Sequence, residues 1–348
     1  MLNLLLPAGF ILAAGLVTLS SISPHLFFLQ SLWAAAGVCL VIFFIRFDWR
    51  TVFNYRWIGW TFYIGAALLL LTAYISAPVI RNTRSWLVIG SLNFQPVELA
   101  KIALIVVFAR YFSRRHLAIA KWRTIISSFA IFALPAALTL LQPDLGSASI
   151  LFGIWFGFLL VSGLPRRRVL LALGAFCVAG LLAWNFALKD YQRARITGVF
   201  FPESHALTVN YSVIQAKIAI GSAGIWGKGY HQGSQTQLGF LTEPSNDFIL
   251  AAFIEEWGII AGILLIGAFL ALEWRILRIG LLANSNFEKF IALGVALVFG
   301  LHFLVNAGST VGLFPVVGVP FPFLSYGGSN LLTSFFLLAI MNAIGRRA

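Results

Sequence analysis

The chain has 348 residues, of which 60% are hydrophobic and 10% charged, and its formal net charge is +13. A soluble domain carries about 25% charged residues, so this composition excludes an ordinary water-soluble fold, which would expose large apolar patches. The basic residues are scattered between apolar runs and form no continuous face. This distribution argues against a nucleic-acid-binding function and indicates topology signals and contacts with anionic membrane lipids.

Ten apolar runs follow one another along the chain, each near the roughly 20 residues that a bilayer-spanning helix needs. They cover residues 4–23, 26–45, 57–79, 97–112, 124–141, 146–163, 169–188, 248–272, 290–311 and 329–345. The runs do not alternate apolar and polar residues as the strands of a β-barrel do. We therefore predict an all-α polytopic membrane protein with about ten transmembrane helices, in a single domain over residues 1–348.

The cysteine and histidine residues predict neither a disulfide framework nor a metal site. Cys39 and Cys177 both fall inside apolar runs, which predicts thiols buried in the core. The five histidines are dispersed and form no ligand pair on one helix face.

Lysine and arginine set the expected orientation of the spans. The loops after the even-numbered runs and the C-terminal end are basic, whereas the short loops around Pro24, around Asp144 and over residues 312–328 hold no lysine or arginine. The positive-inside rule therefore predicts that both termini are cytoplasmic. The basic residues concerned are Arg46, Arg50, Arg56, Arg114, Arg115, Lys121, Arg123, Arg166, Arg167, Arg168, Arg275, Arg278, Lys289, Arg346 and Arg347.

Two longer loops are predicted on the outer side, at about residues 80–96 and 189–246. The second is far longer than a connector needs, and such loops tend to carry function. Within it, residues 211–221 are moderately apolar and suit a short interfacial helix. Both loops keep basic residues, either because long loops translocate regardless of charge or because they bind an anion such as pyrophosphate. These residues are Arg81, Arg84, Arg193, Arg195, Lys217 and Lys228.

Charged residues near the hydrocarbon region are informative, because each costs about 2.5–3.5 kcal/mol at a helix centre. Glu98 and Lys101 are three residues apart at the start of the fourth run, which places them on one helix face. They form either an internal ion pair or a polar cavity wall in which Lys101 meets an anionic ligand. Glu255 and Glu256 lie deeper in the eighth run and are predicted to pair with lysine or arginine of neighbouring spans.

Two aspartates sit where outer loops meet spans. Asp144 lies in the short turn before the sixth run, where it either caps that helix or contacts a ligand. Asp247 directly precedes the eighth run, where it is either a helix-terminal acid favoured by the dipole or a general base.

The segment over residues 312–330 contains three prolines and several glycines, so it cannot be one continuous helix. Irregular backbone at membrane depth is tolerated where protein or a water-filled cavity shields it. We therefore expect this segment to line a cavity open to the outer side.

Together these stretches resemble the SEDS family (shape, elongation, division and sporulation), the RodA/FtsW peptidoglycan polymerases, and more closely the RodA branch. The matching motifs are QPVELAK at 95–101, QPDLG at 142–146, YQRAR at 191–195, QAKIAIGS at 215–222, GKG at 227–229, DFI at 247–249, EEWG at 255–258, Asn306, and PFPFLSYGG at 320–328. Two stretches depart from the family pattern. Residues 242–246 read TEPSN where the family has Pro-Glu-x-His-Thr, and residues 205–211 replace its Asp-Pro-x-Gly-x-Gly-Tyr.

The resemblance implies an enzyme of the bacterial cytoplasmic (inner) membrane that polymerises lipid II on its outer face, with Asp247 as the catalytic base. It implies substrate binding by Glu98, Lys101, Asp144, Arg193, Arg195, Lys217 and Ser325, and a class B penicillin-binding protein transpeptidase as partner. The need for a divalent cation, Mg²⁺ or Mn²⁺, stays open. The alternatives are a lipid II flippase or transporter, which would suit the intramembrane charges and the broken segment, and a non-catalytic scaffold of a cell-wall synthesis complex.

Overall fold

The computed structural model describes residues 2–46, 55–80, 82–90, 92–115, 121–186, 188–201 and 210–346. Arg50, Arg81, Arg347 and residues 205–209, which entered the predictions above, lie outside these ranges. The helices are α1 Leu2–Ile22, α2 Pro24–Arg46, α3 Arg56–Ser76, α4 Pro96–Ser113, α5 Trp122–Leu141, α6 Leu145–Val161, α7 Arg166–Phe186, α8 Asp190–Phe200, α9 Tyr211–Ser222, α10 Ser234–Gln237, α11 Ile249–Leu282, α12 Asn286–Thr310 and α13 Gly328–Gly345.

Each of the ten predicted spans coincides with a helix, which confirms the all-α polytopic fold. Eight of the described helices are long and apolar enough to cross a membrane. The other two predicted spans differ for simple reasons: α4 carries Glu98, Lys101 and Arg110, and α6 has only 17 residues. Prolines at the first turn of α2 and α4 suit the missing N–H of that position.

Helix α4 forms the centre of the bundle, with nearly all of its side chains buried. It packs between α3 and α12, while α13 packs on α2 and α1 on α11. Helix α7, by contrast, has no buried side chain among those that the structure describes in it. Cys39 on α2 and Cys177 on α7 are exposed, so the prediction that both thiols lie in the core was wrong. A span is as apolar on its lipid-facing side as on its protein-facing side, and composition cannot separate the two.

The predicted outer loops are largely ordered into short elements. Residues 80–96 contain an antiparallel hairpin of β1 Leu87–Ile89 and β2 Leu92–Phe94, in which Leu87 pairs with Phe94. The long loop contains α8, α9 and α10, and α9 coincides with the helix predicted for residues 211–221. Residues 311–327 are not helical, as their prolines and glycines predicted.

Helix α11 is broken at Gly258, whose φ is 85° and ψ 172°. The loop after α9 fills the break. Lys228 N donates to Glu255 O (3.0 Å), Gly229 N donates to Glu256 O (3.0 Å), and Ile259 N donates to Gly224 O (3.1 Å). These bonds replace hydrogen bonds that the helix lacks at the break, and they attach the long loop over residues 189–246 to the bundle.

Candidate functional site

A cavity of about 530 Å³ opens at the end of the bundle where the predicted outer loops meet. Its walls come from α2, the hairpin region, the turn before α11 and the irregular segment before α13. The lining residues are Leu29, Leu32, Trp33, Ala36, Ile80, Trp86, Asn93, Gln95, Asn246, Asp247, Gly318, Pro320, Tyr326, Gly327, Gly328 and Asn330. The prediction that the broken segment lines a cavity is therefore confirmed.

Asp247 is the one carboxylate in the described lining of this cavity. It lies directly before Phe248, the N-cap of α11, so its negative charge is favoured by the helix dipole. Its main chain is held from α12: Asn306 Nδ2 donates to Asp247 O at 3.2 Å, and Thr310 Oγ1 lies 3.5 Å from the same oxygen. The structure thus places the predicted base at a fixed point of the cavity wall.

The turn before Asp247 is bonded to the segment before α13. Ser325 Oγ donates to Asn246 O (2.8 Å) and accepts from Phe321 N (2.8 Å), and Tyr326 N donates to Ser245 O (2.9 Å). Ser325 is buried and does not line the cavity, so its predicted contact with substrate remains a prediction while its hydroxyl joins two walls. These contacts are made by residues at which the chain departs from the family pattern.

Gln30 of α2 closes the same region from the other side. Its Nε2 donates to Ser325 O (3.1 Å), and its Oε1 accepts from Gly327 N (3.2 Å). Gln30 was not predicted to contribute to the site. A single amide in an apolar run does not indicate that the helix will pack against the segment before α13, about 300 residues later. Its burial with both amide groups satisfied makes the cavity wall rigid.

Glu98 and Lys101 form the ion pair that their spacing predicted. Lys101 Nζ lies 2.7 Å from Glu98 Oε1, and both side chains are at most 3% exposed. Neither lines the cavity. Lys101 Nζ also donates to His302 Nε2 (2.9 Å), and His302 Nδ1 donates to Pro320 O (3.0 Å), a residue of the cavity wall. The ion pair is therefore connected to the cavity wall by the hydrogen bonds of His302.

Replacing Lys101 with methionine is expected to lower the free energy of unfolding by about 3–5 kcal/mol, because it leaves the buried Glu98 charge without its partner. The double variant Glu98→Gln/Lys101→Met should recover a large part of this loss. Thermal unfolding in detergent would measure both, with Lys289→Met at an exposed position as the matched control. Equal stability of Lys101→Met and the control would contradict the ion pair.

Asp144 caps α6: its Oδ1 accepts from Ser147 N (2.9 Å) and its Oδ2 from Ser147 Oγ (2.8 Å). Gln95 Nε2, whose residue lines the cavity, donates to Asp144 Oδ2 (3.3 Å). Of the two interpretations of Asp144, the structure shows the cap, and a contact with substrate remains a prediction.

The predicted basic residues lie outside the cavity, whose described lining holds no lysine or arginine. Arg195 and Lys217 line a separate narrow cavity of about 30 Å³, and Arg195 Nη1 donates to Val316 O (3.0 Å). Arg193 lies 4.0 Å from Asp190 Oδ1 and donates to Asn185 O (3.4 Å). The structure therefore brings Arg195 and Lys217 together but separates them from Asp247 by the segment over residues 315–320.

Glu255 and Glu256 bind loop residues and α1, so the prediction that they pair with lysine or arginine of neighbouring spans was wrong. Glu255 pairs with Lys228 of the long loop (2.8 Å) and accepts from Gln235 N (2.8 Å) and Thr236 N (3.1 Å) at the start of α10. Glu256 accepts from Ser21 Oγ of α1. Both carboxylates attach the long loop to the helices, and neither is in the described lining of the cavity.

Aromatic and amide side chains provide most of the polar character of the cavity. Trp33, Trp86 and Tyr326 line it together with four amides, none of which sequence analysis proposed as a binding residue. Burial raises the pKa of the Tyr326 hydroxyl above its ordinary range, so the phenol stays neutral and able to donate near neutral pH. Trp86 lies in a connecting loop, and binding residues are disproportionately found on loops, so a large aromatic residue there is a usable signal for a binding site.

The described residues contain no group of three histidine, cysteine, aspartate or glutamate side chains that could hold a metal ion by themselves. Magnesium is often held by one or two carboxylates together with substrate phosphates. Asp247 fits that pattern, so a cation at this site would be shared with a phosphorylated ligand.

Comparison with known proteins shows the family of the chain. The FtsW/RodA/SpoVE family, described as "Cell cycle protein", matches residues 1–348. The peptidoglycan glycosyltransferase MrdB of Escherichia coli (strain K12) is 37% identical over 276 residues, which cover 79% of this chain and 74% of that protein. The protein of the same name from Helicobacter pylori (strain J99) is 37% identical over 319 residues, covering 90% and 81%.

Solved structures match over almost the full length. A chain from work on the structural coordination of polymerization and crosslinking by a peptidoglycan synthase complex has a TM-score of 0.84 at 28% identity, covering 99% of this chain and 97% of its own. The rod shape determining protein RodA of Thermus thermophilus has a TM-score of 0.75 at 26% identity, covering 99% and 96%. Since the family match spans residues 1–348 and these relatives share its sequence and fold, the chain belongs to the FtsW/RodA/SpoVE family, the SEDS proteins.

Proposed function

We propose that this protein is a peptidoglycan glycosyltransferase that polymerises lipid II into glycan strands at the outer face of the bacterial cytoplasmic membrane. The observation that carries the proposal is the cavity, whose described lining combines one carboxylate, Asp247, with aromatic and amide side chains and an apolar wall from α2. The names of the relatives that are 37% identical to the chain support the same activity.

The cavity suits an amphiphilic substrate. Leu29, Leu32 and Ala36 are spaced to share one face of α2, and Leu32 is 53% exposed. A polyprenyl chain can follow this apolar face into the bilayer. The sugars would meet Trp33, Trp86 and the amides, because aromatic faces and amide groups contact the apolar faces and hydroxyls of saccharides.

Asp247 acts as the general base in the proposed reaction. The 4-hydroxyl of the acceptor sugar gives its proton to the Asp247 carboxylate while its oxygen bonds to C1 of the donor. The bond from C1 to the pyrophosphate oxygen breaks, and undecaprenyl pyrophosphate leaves. Glycosidases need a second carboxylic acid to protonate a sugar leaving group. A pyrophosphate needs charge stabilisation instead, so one carboxylate suffices.

Arg195 and Lys217 are the proposed source of that positive charge. Arg195 holds Val316, and Gly318, two residues further on, lines the cavity. Two residues of extended chain span at most about 7 Å, so the guanidinium lies near the opposite face of the cavity wall. With the 3.0 Å bond to Val316 O added, the guanidinium is on the order of 10 Å from the lining at Gly318. This is just beyond the screening length of about 8 Å at physiological salt, so salt weakens its attraction for a pyrophosphate in the cavity. A divalent cation bound by Asp247 and the pyrophosphate would add to this charge.

Replacing Trp86 with alanine is expected to raise the KM for lipid II roughly tenfold, the effect of losing an aromatic contact of about 1–1.5 kcal/mol. The turnover number should change little, since the hydrogen bonds to the main chain of Asp247 come from α12 and not from Trp86. Trp226→Ala, at an exposed position outside the cavity, is the matched control. An unchanged KM for Trp86→Ala would remove this side chain from the sugar site.

The proposed partner is a class B penicillin-binding protein transpeptidase. A relative in a peptidoglycan synthase complex that coordinates polymerization and crosslinking supports an association of this kind. The proposed orientation, with both termini cytoplasmic, places the cavity outside the cell, where the acceptor strands grow.

The deciding experiment incubates the purified protein with lipid II, with and without a class B transpeptidase, in EDTA or in added Mg²⁺ or Mn²⁺. Glycan strands resolved by gel electrophoresis are the expected product. Lipid II translocation across liposomes without polymer would favour the transporter instead. Polymer made only by a partner enzyme, and unaffected by substitution of Asp247, would favour the scaffold.

A further inference from the structure

One face of α12 carries a buried row of polar side chains, His302, Asn306 and Thr310, each four residues from the next. This spacing places them one above the other on the same side of the helix. His302 Nδ1 donates to Pro320 O (3.0 Å), and Asn306 Nδ2 donates to Val319 O (2.9 Å) and Asp247 O (3.2 Å). Thr310 Oγ1 donates to Asn306 O (2.9 Å) and lies 3.5 Å from Asp247 O. We call these three residues the α12 ladder.

The ladder joins two chain segments that are far apart in sequence. Its contacts fix the main chain of Asp247 relative to residues 319–320, and Asp247 and Pro320 both line the cavity. Its members are at most 1% exposed. In this arrangement the donor groups of all three side chains are paired, and a different one would leave buried donors without acceptors. Asn306 Oδ1 has no hydrogen-bond partner among the described residues.

Behind the ladder stands the Glu98–Lys101 pair. Lys101 has only protons to give, so its bond to His302 Nε2 makes that nitrogen an acceptor. The remaining proton is then on Nδ1, which donates to the carbonyl of Pro320. The ion pair thereby fixes which nitrogen of His302 holds the cavity wall.

We propose that the α12 ladder is a positioning device for the transferase reaction. Asn306, backed by Thr310, holds Asp247 at its working point, and His302, oriented by Lys101, holds the facing wall. This inference rests on the proposed function of Asp247. The ladder side chains do not line the cavity, so they act through Asp247 and the wall rather than on substrate.

The ladder should affect turnover more than substrate binding. Displacing a reacting group by about 1 Å can cost on the order of 100-fold in rate. The residues assigned to the sugars, Trp33 and Trp86, lie on α2 and beside the hairpin, away from α12. Loss of ladder contacts should therefore lower kcat and leave KM for lipid II near its original value, the opposite of the result expected for Trp86→Ala.

The test measures kcat and KM for lipid II polymerisation with monodisperse Asn306→Leu, which keeps the side-chain size and removes the donor. A fall in kcat of roughly 10- to 100-fold with KM unchanged is expected. Ser309→Ala is the matched control, because Ser309 is buried on the same helix but its hydroxyl bonds only to Asn306 O among the described residues. A kcat for Asn306→Leu equal to that of Ser309→Ala overturns the proposal.

Substitutions of His302 test the proposal independently, and they can be measured even if Asn306→Leu does not fold. His302→Leu removes both ring contacts, whereas His302→Gln can still accept from Lys101 and donate to Pro320. Lower kcat in His302→Leu with recovery in His302→Gln supports positioning, and wild-type kcat in both overturns it. Wild-type protein that makes no polymer would instead defeat the proposed function, which separates the two failures.

Discussion

Asp247→Asn is expected to abolish polymerisation of lipid II, with a loss of roughly 10²–10⁴-fold in turnover, the usual contribution of a general base. Asparagine keeps the size of the side chain and its place before α11, but its amide cannot take the proton of the attacking hydroxyl. Because Asp247 is the one carboxylate in the described lining of the cavity, no neighbouring acid there can substitute for it. Gel analysis of glycan products from purified protein measures the effect.

Glu243→Gln is the matched control for this variant. Glu243 is an exposed carboxylate four residues earlier in the same turn and does not line the cavity. We expect it to keep wild-type activity, so that loss of activity in Asp247→Asn reports on position 247 and not on the negative charge of the turn. Undiminished polymerisation by folded Asp247→Asn would exclude Asp247 from the mechanism.

Gly258→Ala is expected to cause the largest loss of stability of any alanine substitution considered, about 3 kcal/mol or more, with detachment of the outer loop. The conformation of Gly258, with φ 85° and ψ 172°, is one that residues with a side chain rarely adopt. An added Cβ would stand 2.3 Å from Ile225 O and 2.5 Å from Gly227 N, both main-chain atoms of the loop that fills the helix break. Neither atom can move without breaking the hydrogen bonds to α11.

Gly267→Ala tests the same substitution further along α11, where an added Cβ meets nothing within 4 Å. It should be neutral or slightly stabilising, because alanine is the better helix former. Thermal unfolding in detergent, together with protease sensitivity of the loop after α9, would compare the two variants. Similar melting temperatures for both would mean that the break at Gly258 is not held by the loop.

The order and approximate positions of the spans could be predicted from composition, because a bilayer requires about 20 apolar residues in each span. The length of α11 could not, since it continues from the predicted end at residue 272 to Leu282. The Glu98–Lys101 pair was equally predictable, since residues three apart on a helix are neighbours wherever the helix lies. The break over residues 312–330 followed from proline and glycine alone. Residue-level resemblance to the SEDS family identified Asp247, which the structure places in the cavity.

Contacts between distant segments needed the tertiary structure. The periodicity of a single helix does not show which distant residues it will contact. Gln30 bonds to Ser325, Asn306 bonds to Asp247, and Glu255 pairs with a lysine of the long loop. The basic residues illustrate the same limit. Their positive charge and their position in the long loop predicted that they would bind an anion beside Asp247. In the structure, Arg195 and Lys217 line a different cavity, with the segment over residues 315–320 between them and Asp247.

The sequence by itself determined that this chain is a multi-span membrane protein, where its spans lie and which family it resembles, because these follow from local composition and from motifs read in order. The tertiary structure decided which of the marked residues share a cavity. It selected Trp33, Trp86 and Asn330 as lining and placed Lys101 and Ser325 behind the wall. The physical reason is that burial and distance depend on how helices pack, and a side chain at a given helical position can face lipid, core or cavity with no change in local sequence.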